Sequence, residues 1–393
     1  MIFFDTSSTT PCSEEVAQIL KQYACEDYGN PSSSHSKGTR AARAIREAKR
    51  FFGEAFRVQP EQVIFTGSGT EANNLAIYGT QIPLHLKGKK PQVFTSTIEH
   101  PSILKTAESL RDFGISVNTL PVKDTSIDLS FLDPQTSLLS IQQVNSIVGL
   151  AFPIEDLARE AKRHSPGLIF HTDAVQAFGK ISVPTSASSV DLVSISAHKL
   201  GGPKGVGALI VLNPKLFKAG LRPLIWGGGQ ENGLRSGTQS PGLIAAFHFA
   251  AEKALATRQE RQTHFASLKA QFLKEIESQF TGDLSVHVNS PENSLPSVIN
   301  FSILKTQPKI KGLPAAPLAR LLDERGFAVS LGSACSAKKP EPDPVLKELG
   351  LSRERQISAI RMSLGQEHTL ADISRFVSAL KEAGEIAKRI AGA

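Results

Sequence analysis

The chain has 393 residues, 40% of them hydrophobic and 21% charged, with a net charge of +7. That length favours two domains over one small core, and the balance is that of a soluble globular protein. No apolar run approaches the ~18 residues of a membrane span, and no basic block interleaved with aromatics marks a nucleic-acid surface.

The opening MIFFDTSSTTPC lacks the basic and apolar regions of a signal peptide and reads as a short strand and turn. Residues 35–56 pattern as an amphipathic helix. QVIF at 62–65 is a short strand, and TEANNLAIYG after it a helix. Strand-like runs recur at 92–95, 115–120, 138–144, 168–172, 191–195 and 206–211, with helical runs at 100–112 and 154–164. The alternation predicts an α/β fold with a mostly parallel sheet covered by helices. The last two runs are joined by a loop, so one of them is a candidate antiparallel strand.

From about residue 241 the pattern changes. One long helical stretch covers 241–280. Short strands follow at 285–288, 297–303 and 359–364, with helices near 315–325, 342–349 and 370–390. Residues 304–317 read as a loop. We expect a large domain over 14–255 and a smaller α+β domain over 1–13 and 256–393.

Cysteine occurs at 12, 25 and 335 only. With no CxxC pair, neither a zinc site nor a disulfide framework is predicted, and the free thiols suggest a reducing, cytoplasmic setting. Cys12 and Cys25 read as buried small hydrophobes. Cys335 does not, because Gly, Ser, Lys and Pro surround it in GSACSAKKPEPDP.

Four segments carry candidate chemistry. TGSGTE at 66–71 joins a strand to a helix, where small residues and free N–H groups accept a phosphate; a plain tight turn reads equally well. Asp173 in LIFHTDAVQAFGK follows a buried strand, where an acid is placed for a ligand or caps a helix. It suits a pyridine nitrogen, and Gln176 a phenolic oxygen on the same ring. In VSISAHKLGGPKGVG, Ser196 and His198 suit a phosphate and Lys199 an aldehyde; the plainer reading makes Lys199 and Lys204 solvated loop lysines. His100 in STIEHPSIL either stacks on a flat ring or is an ordinary histidine.

Together FFDTSSTTP, YGNPSSSH, FTGSGTEANNLAI, IEHPSIL, HTDAVQAFGK, SAHKLGGPKGVGAL, GGGQENGLRSGTQ, GSACSA and IRMSLG resemble the cysteine desulfurase family. These are fold-type I pyridoxal 5'-phosphate enzymes of the class-V aminotransferase superfamily. The resemblance spans nearly the whole chain and implies a seven-stranded large domain. It implies that Lys199 is the Schiff-base lysine, His100 the ring-stacking residue, Asp173 the partner of the pyridine nitrogen and Gln176 that of the phenolic oxygen. Gly69, Thr70, Ser196 and His198 would hold the phosphate. Thr238 would reach the phosphate of the other subunit's cofactor, which implies a homodimer. Asn145 and Arg361 would contact substrate, with Arg361 clamping the α-carboxylate. Cys335 would accept sulfur from L-cysteine as a persulfide, releasing L-alanine, and pass it to an iron–sulfur scaffold or a tRNA-thiolating enzyme. No metal is implied.

The chain departs from the family pattern at three places. VNSIVG replaces VNNEIG, so Ser146 stands where an asparagine normally contacts the cofactor, and Ile147 replaces the glutamate. Ser8 stands where alanine is usual. Three prolines within five positions follow Cys335, beside Lys338 and Lys339, a sequence that stiffens the segment and favours the thiolate if the lysines lie close. The rival readings are a selenocysteine lyase, another class-V reaction such as transamination, and a dimeric scaffold without activity.

Overall fold

The computed structural model describes residues 1–306, 311–331 and 343–392. Cys335, Lys338 and Lys339 therefore lie outside the described residues.

Seven strands build the principal sheet. They are β1 (Val63–Thr66), β2 (Gln92–Ser96), β3 (Ser116–Leu120), β4 (Thr136–Ser140), β5 (Ile169–Asp173), β6 (Leu192–Ser196) and β7 (Gly207–Val211). Their spatial order is β1-β7-β6-β5-β4-β2-β3. Every pair is parallel except those made by β7, which runs antiparallel to both β1 and β6. The loop between the last two strand runs is the reason: without a crossover helix, β7 returns as a hairpin beside β6. β1, β6 and β7 are buried along their whole length, as strands sandwiched between helices require.

The predicted helices are present, one of them broken, and Glu14–Cys25, Pro214–Ala219 and Arg353–Ile357 are helices that the sequence pattern does not mark. The stretch at 241–280 is two helices, Pro241–Ala256 and Arg258–Gln279. Thr257 interrupts them, its Oγ1 donating back to Lys253 O at 2.9 Å. Such back-bonding by a β-branched residue competes with helix continuation.

A second sheet, all antiparallel, comprises β8 (Leu284–Val288), β9 (Val298–Lys305), β10 (Lys311–Gly312) and β11 (Ala359–Ser363), with β9 pairing the other three. The segment read as a loop from 304 thus holds the end of β9 and all of β10. The largest apolar cluster beside the first sheet gathers Phe52, Phe178 and Phe247, and the cluster beside the second gathers Phe4, Phe272, Phe301 and Phe376. Phe4 comes from the start of the chain. Ile2–Phe3 pairs in parallel with Phe327–Ala328, and Asp5 bridges to Ser363. Residues 2–10 then cross to the first sheet, where Thr10 N donates to His198 O at 2.8 Å. This crossing segment positions the site.

The two described cysteines are exposed, contrary to the expectation of burial. The helix Glu14–Cys25 buries only Val16, so Cys25 ends it on the solvent side. Cys12 lies in the coil before that helix, where no layer covers it.

Candidate active site

The C-terminal ends of β5 and β6 and the turn after β1 converge. That is where an open α/β sheet offers ligands a crevice. Three layers can be read from the residues upward.

The first is a cradle. Ser68 caps the helix Gly69–Leu86, its Oγ accepting Glu71 N at 3.1 Å. Glu71 is held in turn by Gly67 N at 2.8 Å and Arg235 Nε at 2.9 Å. A β-carbon on Gly69 would come within 2.7 Å of Val175 Cγ2 and 3.4 Å of Ser196 Cβ. One on Gly207 would fall 2.6 Å from Ser68 C. Glycine is required because the turn is pressed against β6 and β7. Ser196 Oγ is buried with no hydrogen-bond partner among the described residues. An orphaned hydroxyl beside a helix N-terminus fits a phosphate. Thr70 is exposed at the same turn.

The second layer surrounds Asp173. Its Oδ2 accepts Asn73 Nδ2 at 2.7 Å and its Oδ1 accepts Val175 N at 2.9 Å. Asn73 also donates to Ser102 Oγ at 2.8 Å, and Ser102 Oγ lies 2.8 Å from His100 Nδ1. A chain of polar contacts therefore runs from Asp173 to the exposed His100. Nearby, Glu99 is buried, touching Ser96 Oγ at 2.5 Å and accepting Gln142 N on both oxygens at 2.9 Å. Burial pushes its carboxyl up to about 8, against the effect of these hydrogen bonds.

The third layer is the crossing segment with two cations on it. Lys199 Nζ donates to Ser7 O at 2.6 Å and Ser8 O at 2.7 Å. Burial, helped by the Arg361 charge, draws its pKa down to about 8, against Asp173 and Asp5. Arg361, from β11, donates through Nη2 to Asp5 Oδ1 at 2.6 Å and Ser8 Oγ at 2.7 Å, and through Nη1 to Ser146 O at 3.0 Å. Ser8 Oγ donates to Asp5 Oδ1 at 2.8 Å, closing the bracket. His198 sits beside Lys199, with Nδ1 3.3 Å from Thr9 Oγ1. Burial and the Lys199 charge hold its pKa at about 4, so the ring is neutral at pH 7.

Other predicted residues have different surroundings. Gln176 is engaged at both ends of its amide, donating to Ser7 O and accepting Lys180 Nζ at 2.9 Å. Asn145 folds its own turn, Oδ1 accepting Ile147 N and Val148 N while Nδ2 donates to Ile98 O. Ser146 meets the site through its carbonyl. Thr238 is exposed on the loop after β7. Asn73, Ser102, Glu99 and Lys180 drew no attention in the sequence. Asn73 had one available signal, a polar residue within an Ala/Leu/Ile helix.

The residues fit pyridoxal phosphate: a helix N-terminus beside an orphaned hydroxyl, a fixed carboxylate, and a lysine of lowered proton affinity. Among the described residues no cluster of three His, Cys, Asp or Glu could hold a metal ion, and no helix is long and apolar enough to cross a membrane.

Comparison with known proteins bears on the same assembly. The aminotransferase class-V family matches residues 2–376. The cysteine desulfurase IscS of Dictyoglomus turgidum is 35% identical over 390 residues, covering 97% of this chain and 93% of that protein. The mitochondrial cysteine desulfurase of Saccharomyces cerevisiae is 33% identical over 387 residues, 97% of this chain and 74% of that one. Among solved structures, a NifS-like protein superposes with a TM-score of 0.86 at 31% identity, covering 97% and 98% of the two chains. SspA in complex with cysteine gives 0.77 at 32% identity, covering 93% and 99%.

Proposed function

Because the chain belongs to the cysteine desulfurase family of class-V aminotransferases, we propose that it converts L-cysteine to L-alanine and carries the sulfur away as a persulfide on Cys335. The carrying observation is that one residue, Ser8, receives both working cations: its carbonyl takes Lys199 and its hydroxyl takes Arg361. An amine and a carboxylate clamp on one bracket suit an α-amino acid.

Pyridoxal phosphate, when bound, supplies an aldehyde carbon and a ring that accepts electrons from the substrate carbons. Gly69, Thr70, Ser196 and His198 would hold its phosphate, and Asp173 would keep a proton on its ring nitrogen. Lys199 would hold the aldehyde carbon and, once freed by the substrate amine, move the proton at Cα. A pKa near 8 leaves a useful fraction of neutral amine at neutral pH. Arg361 would turn from Asp5 and Ser8 to the substrate carboxylate.

The sulfur step balances as a two-electron transfer. The Cys335 thiolate attacks the substrate sulfur, a sulfur–sulfur bond forms and the Cβ–sulfur bond breaks. The electron pair stays on carbon, and protonation there yields alanine. Two anchors support the assignment to Cys335. Ser330 exchanges both backbone hydrogen bonds with Arg361, and four residues from Leu331 span at most about 14 Å. On the other flank, Asp343 caps the helix Pro344–Glu348, and Glu348 accepts Thr97 Oγ1 at 2.8 Å, three residues from His100.

A protein thiol on an iron–sulfur scaffold or a tRNA-thiolating enzyme would accept the persulfide. The exposed Thr238 would complete a second subunit's site in a homodimer. The test incubates cofactor-loaded protein with L-cysteine, measures alanine, and reads Cys335 by intact mass against Cys335→Ala. Alanine with a one-sulfur adduct absent from the variant supports the reading. Bound cofactor with neither product overturns it.

A further inference from the structure

Behind Lys199 lies a cavity of about 240 Å³ that the site above does not use. Neither Asp173, Ser196 nor Arg361 lines it. Lys199 borders both spaces, and Lys180, which rests on Gln176, joins it on the cavity wall. Its walls come from the crossing segment at Thr6 and Thr10, from Cys12 beyond it, from the helix Pro241–Ala256, from Arg261, and from Gly365–Glu367 after β11.

The wall is cationic. Lys180, Lys199, Lys253 and Arg261 face one carboxylate, Glu367. Lys253 is half-exposed, 3.6 Å from Glu15. Glu367 is also half-exposed and lies 3.6 Å from His368. Neither buried cation makes an ion pair among the described residues, although the Glu367 charge acts on Arg261 through space. Lys180 is 7% exposed and rests on the neutral Gln176 amide. Arg261 is 8% exposed; its guanidinium makes one hydrogen bond, Nη1 to Gly179 O at 3.5 Å, and Nε has none among the described residues. Burial lowers the proton affinity of both. A buried cation without counter-charge is costly, and a ligand that supplies the charge removes much of that cost.

We propose that this cavity binds a small oxyanion, held by Arg261 and Lys180 against the rear of Lys199. The guanidinium fork suits a carboxylate or a phosphate. The volume is below the ~300–1,000 Å³ of drug-sized ligands, so the anion has few heavy atoms. Its charge raises the proton affinity of Lys199, and it bridges groups before and after the Thr257 break. The binding site stands on the cavity alone; its effect on catalysis rests on the role proposed above for Lys199.

The test titrates cofactor-loaded full-length protein with sodium malonate and, separately, sodium phosphate at constant ionic strength. Loading keeps phosphate out of the Ser196 cradle. Calorimetry should show saturable binding of one anion per chain, weakened at least tenfold in both Arg261→Gln and Lys180→Met. Tighter malonate identifies a carboxylate ligand, tighter phosphate a phosphate. The pH midpoint of the bound cofactor's visible absorbance should rise with anion in the wild type and stay fixed in the variants. Saturable binding without that shift keeps the site and removes its coupling to Lys199. Binding of neither anion, or equal binding by wild type and both folded variants, overturns the proposal.

Discussion

Arg361 and Arg261, buried to a similar degree and each with an Nε that has no partner among the described residues, differ in what holds their terminal nitrogens. Arg361 projects from β11, and its two terminal nitrogens are taken up by a carboxylate, a hydroxyl and a carbonyl. Arg261 projects from the first turn of a helix and has one long hydrogen bond. The difference teaches how a fold uses buried charge. Where the protein supplies the partners, it fixes direction, and a ligand must displace those partners to bind. Where it withholds them, the charge is poorly compensated and any fitting anion gains. The Arg361 region is built for aim, the Arg261 region for uptake.

The harshest test removes the residue the two regions share. Lys199→Ala should lower alanine formation by at least ~10³-fold and abolish the cofactor's Schiff-base absorbance. Retained absorbance would mean another amine holds the cofactor.

Stability separates the regions next. Arg361→Met leaves Asp5 and its hydrogen bonds uncompensated and should cost about 2–3 kcal/mol, discounted because Asp5 is partly exposed. Arg261→Met removes an unpaired charge and should be neutral or stabilising by about 1 kcal/mol. Urea unfolding of cofactor-free protein reads both; equal losses would erase the contrast.

Ser8 refines the comparison. Its hydroxyl occupies Arg361 where the family usually has alanine, so Ser8→Ala should release the guanidinium. The KM for L-cysteine should fall about threefold, part of the value of one charge-assisted hydrogen bond, with kcat little changed. An unchanged KM would show that Asp5 alone sets the resting position.

The smallest effects lie in pH dependence, with opposite signs. Glu99 binds its proton more tightly when folded, up to about 8. Its stabilisation is full below the unfolded value of about 4.5 and lost as pH rises through 8. Lys180 binds its proton less tightly, down to about 7. Its contribution is full above about 10.5 and lost as pH falls through 7. Melting of Glu99→Gln relative to wild type should improve by about 2–4 °C from pH 5 to 8, and that of Lys180→Met should worsen by a similar amount from pH 7 to 10. Parallel drifts in the two variants would remove both assignments.

Much of the fold was legible because its signals are local. Asp173 and Lys199 follow buried strands in short runs, and Arg361 alternates with Ile360 and Met362. The β7 hairpin followed from a loop where a crossover helix would have been needed. The Asp173–Asn73 contact was not legible, since its members stand 100 positions apart and each alone reads as an ordinary polar residue. Arg261 sits in RQERQTHF, a polar run inside the predicted helical stretch, and nothing in that run marks it as buried. Nothing in HTDAVQAFGK marks Lys180 as buried, yet it is 7% exposed. The cysteines failed conversely: composition favours burial, and a helix end at Cys25 and open coil at Cys12 override it. Thr257 broke a helix through one back-bonded hydroxyl, too local for periodicity to register.

The crossing segment also orders events during synthesis. Residues 2–10 leave the ribosome long before their partners at 327–328 and 361–364. At ~5–20 residues per second the wait is on the order of twenty seconds to a minute. In its later part, once Val211 has emerged, the sheet carrying Asp173 and Lys199 can assemble, yet Phe4 has no core to enter and the bracket at Asp5 and Ser8 has no guanidinium to hold. The nascent chain can thus form the sheet proposed to face the cofactor before it forms the clamp proposed for the substrate.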